Sequence, residues 1–284
     1  DAGTLDIVHT ITGSGLENLT VELGTGSADI EMSVGSFLFE NETLALTPAV
    51  QFGRIRDSNK TILLVELEDA TGSQIGELVF SVVDDNHIVF EVLAVDASTD
   101  RIRLAADCHD DEHFMGLGSH AMDVDHVGEA FPVWISEPGI GKSTDDVVSD
   151  DWFLTGTRHA SSFPVPFLLR PQINQGWLFD TWGRLEVDLC ATDPERWEVL
   201  AWEGPSLVTV LMVEDGPLEV VEGLSNYSGR PELAPGWVFG PWNDAVHGED
   251  RVREVADTLR EAGAPSTVIW TEDWKGAEEN ATGY

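Results

Sequence analysis

Lysine is nearly absent from this 284-residue chain, which has only Lys60, Lys142 and Lys275. Lys and Arg together number 15 against 52 Asp and Glu, for a formal net charge of −37. A surface of that sign repels phosphate backbones, so nucleic acid is excluded as a partner. The same field keeps the protein soluble, and adaptation to high salt, where self-repulsion is screened, is the expected setting. Carboxylates could instead hold calcium, but neither the run Asp107–Glu112 nor the pair Asp145–Asp146 has the spacing of a calcium loop, and no metal is expected. Cysteine is also scarce. Cys108 and Cys190 sit in no CxxC or zinc pattern, which argues against a thiolate metal site. They form either one disulfide of an exported protein or two buried thiols. No run approaches eighteen apolar residues, so no transmembrane helix is expected. No leader is legible either, and a chain opening on Asp1 reads as trimmed or taken from a longer frame.

What is present is β-forming sequence. From Leu5 to about Val221, short alternating runs are broken by Gly, Asp and Asn. Strands are expected at Glu31–Phe39, Ile62–Leu67, Leu78–Val83, Ile88–Val95, Phe163–Leu169, Gly176–Thr181 and Leu185–Leu189. Leu78–Val83 and Ile88–Val95, joined by Asp84-Asp85-Asn86, read as a hairpin. Leu207–Val213 is continuously apolar and suits a buried strand. Two packed sheets follow from so many short strands without a helical period. Phe131–Asp151, with Pro138, Gly139 and Gly141 and then a charged run, reads as a long irregular loop of the kind that carries function.

The character changes near Pro231. Pro231 and Pro235 punctuate a linker, and Val238-Phe239 is expected as a short strand. Val252, Val255, Ala256, Leu259 and Ala262 recur at helical spacing over Glu249–Ala262, with acids in the first turn and Gly263 as the stop. Thr267–Trp270 is a β-branched strand. Strand, helix and strand with short links form one βα unit of a parallel sheet. One such unit cannot bury its own faces, so it predicts more chain.

The order of several motifs resembles glycoside hydrolase family 31. They are Phe114-Met-Gly-Leu-Gly118, Phe131-Pro-Val-Trp-Ile-Ser-Glu-Pro-Gly-Ile-Gly-Lys142, Pro164-x-Pro166 followed by Gly176-Trp-Leu-Phe-Asp180, Leu233–Asn243 and Ala264–Trp274. The second is similar to a loop of the sulfoquinovosidase-like branch. The resemblance covers roughly Phe114 to Trp274. It implies a mainly β chain: a galactose-mutarotase-like β-sandwich over residues 1–230, then the first βα unit of a (β/α)8 catalytic barrel over 231–284. It further implies a retaining α-glycosidase acting on α-glucosides or related α-glycosides, with two carboxylates roughly 5 Å apart. Both would lie on later barrel strands, so no residue here is expected to be catalytic and residues 1–284 alone are expected to be inactive. No cofactor is implied; the partner is a carbohydrate substrate, and a bacterial protein of the periplasm or exterior is expected. The competing expectation is a non-catalytic carbohydrate-binding sandwich, which would not need the βα unit.

Substrate-binding residues follow by carrying the resemblance to the strand ends. Glu272 is the first candidate, at the C-terminal end of a barrel strand where such enzymes build their sites; its other reading is a solvated loop carboxylate. Trp270, Asp273 and Trp274 flank it, since indole can pack against the apolar face of a sugar. Trp242, Asn243 and Asp244 are expected to follow the first barrel strand and so to reach the mouth. Glu137, with Trp134, lies on the long sandwich loop that can shape the pocket. Two positions depart from the family: Ser119 stands where it usually has an acid, and Glu272 stands where sulfoquinovosidases carry Gln. A carboxylate repels a sulfonate by about 1 kcal/mol at 4 Å even in bulk water, so a neutral sugar is the expected substrate. His109, His113, His120 and His126 show no ligand spacing and read as ordinary loop residues.

Overall fold

The structure is a computed structural model that describes residues 5–8, 15–33, 36–58, 62–136 and 157–271. Its contacts divide the chain into Asp1–Ser228 and Gly229–Tyr284.

The first unit runs through β1 (Leu5–Val8), β2 (Gly15–Ser33), β3 (Ser36–Pro48), β4 (Gln51–Ser58), β5 (Ile62–Glu68), β6 (Gln74–Val82) and β7 (His87–Ala94). It continues with β8 (Arg101–Asp107), β9 (Met115–Gly118), β10 (Glu129–Val133), β11 (Pro164–Arg170), β12 (Gln175–Asp180), β13 (Leu185–Leu189), β14 (Arg196–Ala201) and β15 (Ser206–Val213). It closes on helix α1 (Pro217–Ser228). One sheet has the order β1-β2-β8-β14-β13-β10, with β3 also paired to β2; the other runs β4-β5-β6-β7-β15-β12-β11-β9. All pairings in both are antiparallel.

Alternation turns every second side chain into the space between the sheets. Leu19, Val21 and Leu23 of β2, Leu185, Val187 and Leu189 of β13, and Trp197 and Val199 of β14 meet Leu78 of β6, Phe90 and Val92 of β7, and Trp177 and Phe179 of β12 in one buried cluster. Trp177 and Trp197 interlock edge to face at 5.0 Å. Beside them Arg170 and Glu112 form a buried ion pair, with Nη2 2.5 Å and Nε 3.1 Å from the carboxylate. Arg170 also donates to Gln175 Oε1 at 3.2 Å and to the Asp107 carbonyl at 3.3 Å, so the guanidinium is tied on three sides. Cys108, just after β8, is bonded to Cys190, just after β13, with Cα atoms 6.5 Å apart. The bridge therefore staples the two strands that flank β14.

The hairpin expected around Asp84–Asn86 forms as β6 and β7, Phe80 opposite Phe90. The strand at Leu185–Leu189 forms over the same residues. Glu31–Phe39, expected as one strand, is the meeting of two: β2 ends at Ser33 and pairs back with β3 from Ser36. Both arms are β-forming, so the alternation runs through the reversal unmarked. Helix α1 corrects the expectation of β structure up to about Val221, since Pro217–Val221 form its first turns. It covers the outer face of the second sheet, where Val220 packs with Phe167, Leu169, Val210 and Met212. This second layer explains why β15 is apolar on both faces. The long-loop expectation is corrected at its start, where Phe131–Val133 belong to β10 and Ile135 bridges Ser161. The rest of that loop, Glu137 included, lies outside the described residues.

In the second unit a 3-10 turn, Gly236–Phe239, replaces the expected strand at Val238-Phe239. Val238 N–H bonds back to the Pro235 carbonyl at 3.0 Å and Gly240 N–H to Trp237 at 3.2 Å, which closes the backbone on itself. The strand is instead β16 (Trp242–Asp244), parallel to β17 (Val268–Trp270). Between them runs α2 (Glu249–Glu261), with Glu249 and Asp250 in the first turn and Arg260 in the last, each of the sign its end favours. Gly263 after it has φ +63, the left-handed geometry of a C-terminal stop.

Candidate functional site

Two places carry candidate residues. In the second unit, register pairs Trp242 with Val268, Asn243 with Ile269 and Asp244 with Trp270. Asp244 and Trp270 thus close their strands together at the C-terminal ends, and Ala245 N–H extends the pairing to the Trp270 carbonyl at 3.0 Å. Trp242 does not follow the first strand, as expected, but opens it. Its Nε1 donates to the Val238 carbonyl at 2.9 Å, and its ring lies 6.2 Å from that of Trp270. Two half-exposed indoles and one carboxylate on one face form a surface that can pack a pyranose ring and accept from its hydroxyls. Asn243 points the other way, and its Nδ2 is buried without a hydrogen bond, as is Thr271 Oγ1. Glu272, Asp273 and Trp274 lie outside the described residues.

In the first unit, the Phe114–Gly118 motif is explained by its backbone. Gly116 and Gly118 have φ +103 and +118, and Leu117 between them has φ +62. A Cβ on Gly116 would meet the Phe167 carbonyl at 2.4 Å and one on Gly118 the Phe163 carbonyl at 2.3 Å, so only glycine fits against β11. Trp134, expected near a pocket on the loop, packs edge-on against Phe37 at 5.7 Å and Phe39 at 6.4 Å of β3. Its outer side lines a cavity of about 280 Å³ with Pro164, Pro166, Asp180, Thr181 and Trp182. Trp182 is 98% exposed. Sequence reasoning passed over it, although a tryptophan inside the polar turn Asp180-Thr-Trp-Gly183 has no core to enter and was the available signal. Among the described residues no group of three or more His, Cys, Asp or Glu is placed to hold a metal ion.

No protein-family model matches the chain. It is 26% identical over 278 residues to the sulfoquinovosidase of Escherichia coli strain K12, a match covering 94% of this chain and 39% of that protein. It is 28% identical over 214 residues to the sulfoquinovosidase of Agrobacterium fabrum, covering 71% of this chain and 30% of the relative. The chain therefore spans well under half the length of the curated relatives it matches. Among solved structures, a family 31 sulfoquinovosidase from E. rectale bound to an aza-sugar inhibitor superposes with a TM-score of 0.80 at 18% identity, covering 99% of this chain and 42% of the other. A family 31 dextranase from Flavobacterium johnsoniae complexed with glucose gives 0.51 at 18% identity, over 87% of this chain and 28% of its own.

Proposed function

We infer that this chain, whose relatives support its assignment to glycoside hydrolase family 31, contributes the β-sandwich and the start of the catalytic barrel to a retaining α-glycosidase. The observation that carries the reading is the parallel pair β16 and β17 joined through α2, with Asp244 and Trp270 at the strand ends. That is where barrel enzymes assemble their sites. The division of labour is proposed as residues 1–230 for the sandwich and 231–284 for the first βα unit. Trp242 and Trp270 would hold the apolar face of the sugar, and Asp244 would accept from hydroxyls that do not react. Glu272, Asp273, Trp274 and Glu137 are proposed to complete the substrate's surroundings. The nucleophile and the acid/base belong, on the resemblance, to later strands, and residues 1–284 alone are proposed to be inactive.

The sugar has two readings. Both curated relatives are named sulfoquinovosidases, which favours a sulfonated glucoside. Glu272 in the place where sulfoquinovosidases carry Gln, and a net charge of −37, favour a neutral one. We propose the neutral α-glucoside. Turnover by the whole protein of an aryl α-glucoside against the matching α-sulfoquinovoside tests this; a higher kcat/KM on the sulfonated substrate overturns the neutral reading and leaves the enzyme class standing. The Trp182 surface over its cavity supports the alternative of a sugar-binding sandwich without catalysis. Binding of α-glucosides by the whole protein with no turnover of any α-glycoside would favour it. The Cys108–Cys190 bridge supports a location outside the reducing cytosol.

A further inference from the structure

Three histidines, two from one loop and one from a distant segment, meet in the first unit. The rings of His120 and His126 lie 4.8 Å apart, those of His126 and His159 6.3 Å, and those of His120 and His159 6.5 Å. Phe131 of β10 is their common floor. It stacks on His159 at 4.2 Å with planes 9° apart and meets the edges of His120 at 5.5 Å and His126 at 5.3 Å. His126 and His159 are buried and His120 partly so. His120 Nε2 faces the Leu117 carbonyl at 3.3 Å, and His126 is held by its backbone N–H on the Phe114 carbonyl at 2.8 Å. The Nδ1 atoms of both are buried and make no hydrogen bond. A proton arriving at either atom would find no acceptor there.

The charged groups around the trio are Asp123, Glu129 and Arg158. Arg158 donates from Nε and Nη2 to Asp123 at 2.7 and 2.8 Å, and its Nη1 lies 3.2 Å from Glu129. His159 Nε2 lies 3.3 Å from the other oxygen of Glu129. His113 and Asp125 pair with each other at the outer end of the same loop. Arg158 thus faces two carboxylates, and the net negative charge that remains lies closest to His159, through Glu129, not to the buried Nδ1 atoms of His120 and His126. Burial and the two neighbouring rings hold His126 down at about 4, and burial pushes His120 below its ordinary value.

The trio also joins two segments that lie outside the strands. His120, Asp123 and His126 belong to the loop between β9 and β10. Arg158 and His159 belong to the segment that leads into β11. Among the described residues both β9 and β10 are edge strands, each paired with one neighbour. Beyond the cluster, the bonds that cross here among the described residues are Ser161 Oγ to the Ser119 carbonyl at 2.9 Å, Ser119 N–H to the Phe163 carbonyl at 3.0 Å, Ser136 N–H to the Ser161 carbonyl at 2.9 Å, Phe114 N–H to Asp125 Oδ1 at 3.1 Å, His126 N–H to the Phe114 carbonyl at 2.8 Å and Gly128 N–H to the Leu189 carbonyl at 2.7 Å.

We propose that the His120–His126–His159 cluster is an acid-operated latch: its neutral rings lock residues 119–128 and 157–163 onto β10, and protonation separates the rings and releases both segments while the sandwich core stays folded. Release would be local because edge elements open at lower cost than core strands. The proposal does not rest on the glycosidase reading.

Amide hydrogen exchange of this chain at about pH 7 and about pH 4.5, corrected for the intrinsic rates, tests the proposal. Peptides over 114–131 and 157–163 are expected to exchange at least about tenfold faster at the acid pH. Peptides over β13 and β14 are expected to be unchanged. The variant His126→Phe, which fills the site without titrating, is expected to lose most of the local acceleration; His120→Gln serves if that variant does not fold. An increase shared evenly with β13 and β14, no increase at all, or full acceleration retained in the folded variant would each overturn the proposal.

Discussion

Removing the Cys108–Cys190 bridge is expected to cost the first unit a large share, up to about half, of a typical domain's stability margin of roughly 10 kcal/mol. The two cysteines are 82 residues apart in sequence. The loop-closure relation for a chain of that length gives about 15 cal/mol/K of lost denatured-state entropy, or about 4.5 kcal/mol at 25 °C. The bridge adds no demand on the native backbone beyond closing the ends of β8 and β13, which the pairing of β14 with both already brings together. The entropic figure should therefore be expressed nearly in full. Urea unfolding of the double variant Cys108→Ser/Cys190→Ser, compared with the oxidised protein, measures it. With a slope near 3 kcal/mol/M the midpoint should fall by about 1.5 M. A folded double variant that loses less than about 1 kcal/mol would refute the reasoning and show that the ladder alone fixes β8 and β13.

Four further outcomes are expected. Glu112→Ala should destabilise the sandwich by about 3–5 kcal/mol in the same assay, because it strands the buried Arg170, whereas Glu112→Ala/Arg170→Met should recover much of that loss. Acid should weaken the protein: an imidazole with a depressed folded pKa gives stability that is complete above about pH 6.5 and disappears as pH falls towards about 4, so His126 alone should contribute about 3 kcal/mol to the slope, read by thermal melts across that window and absent in His126→Phe. Raising salt from low to molar concentration should raise the melting temperature, since 52 acids face 15 basic residues; a flat or falling curve would argue against a salt-adapted surface. In the whole protein, Trp270→Ala and Asp244→Ala should each lower kcat/KM by about tenfold or more with melting unchanged, and an unaltered kcat/KM would remove those residues from the site.

Much of the architecture was legible where local and tertiary demands coincide. The β6–β7 hairpin alternates because one face is core, and α2 shows its period because it carries its own helical signals. Failures occurred where the signal is non-local. Helix α1 follows the Val-rich β15 directly, and of its apolar residues Leu218 and Val221 are exposed while Val220 alone is fully buried, so no stripe stands out. The turn at Gly236–Phe239 carries strand-forming residues held by two backbone bonds that composition does not reveal. Site residues were harder still. Trp242 and Asp244 are expected to follow the first barrel strand, but the strand is shifted, so Trp242 opens it and Asp244 closes it beside Trp270. The histidine trio was missed because His159 arrives from a distant segment, and Trp182 because an exposed indole has no sequence period.

If residues 1–284 contribute to a retaining α-glycosidase, as proposed, NMR of the whole protein during hydrolysis of an aryl α-glucoside will show which anomer is released first. The first sugar released is predicted to be the α-anomer, mutarotating to β only later. Release of the β-anomer first, or no hydrolysis of any α-glycoside under conditions where the protein is folded, would contradict it.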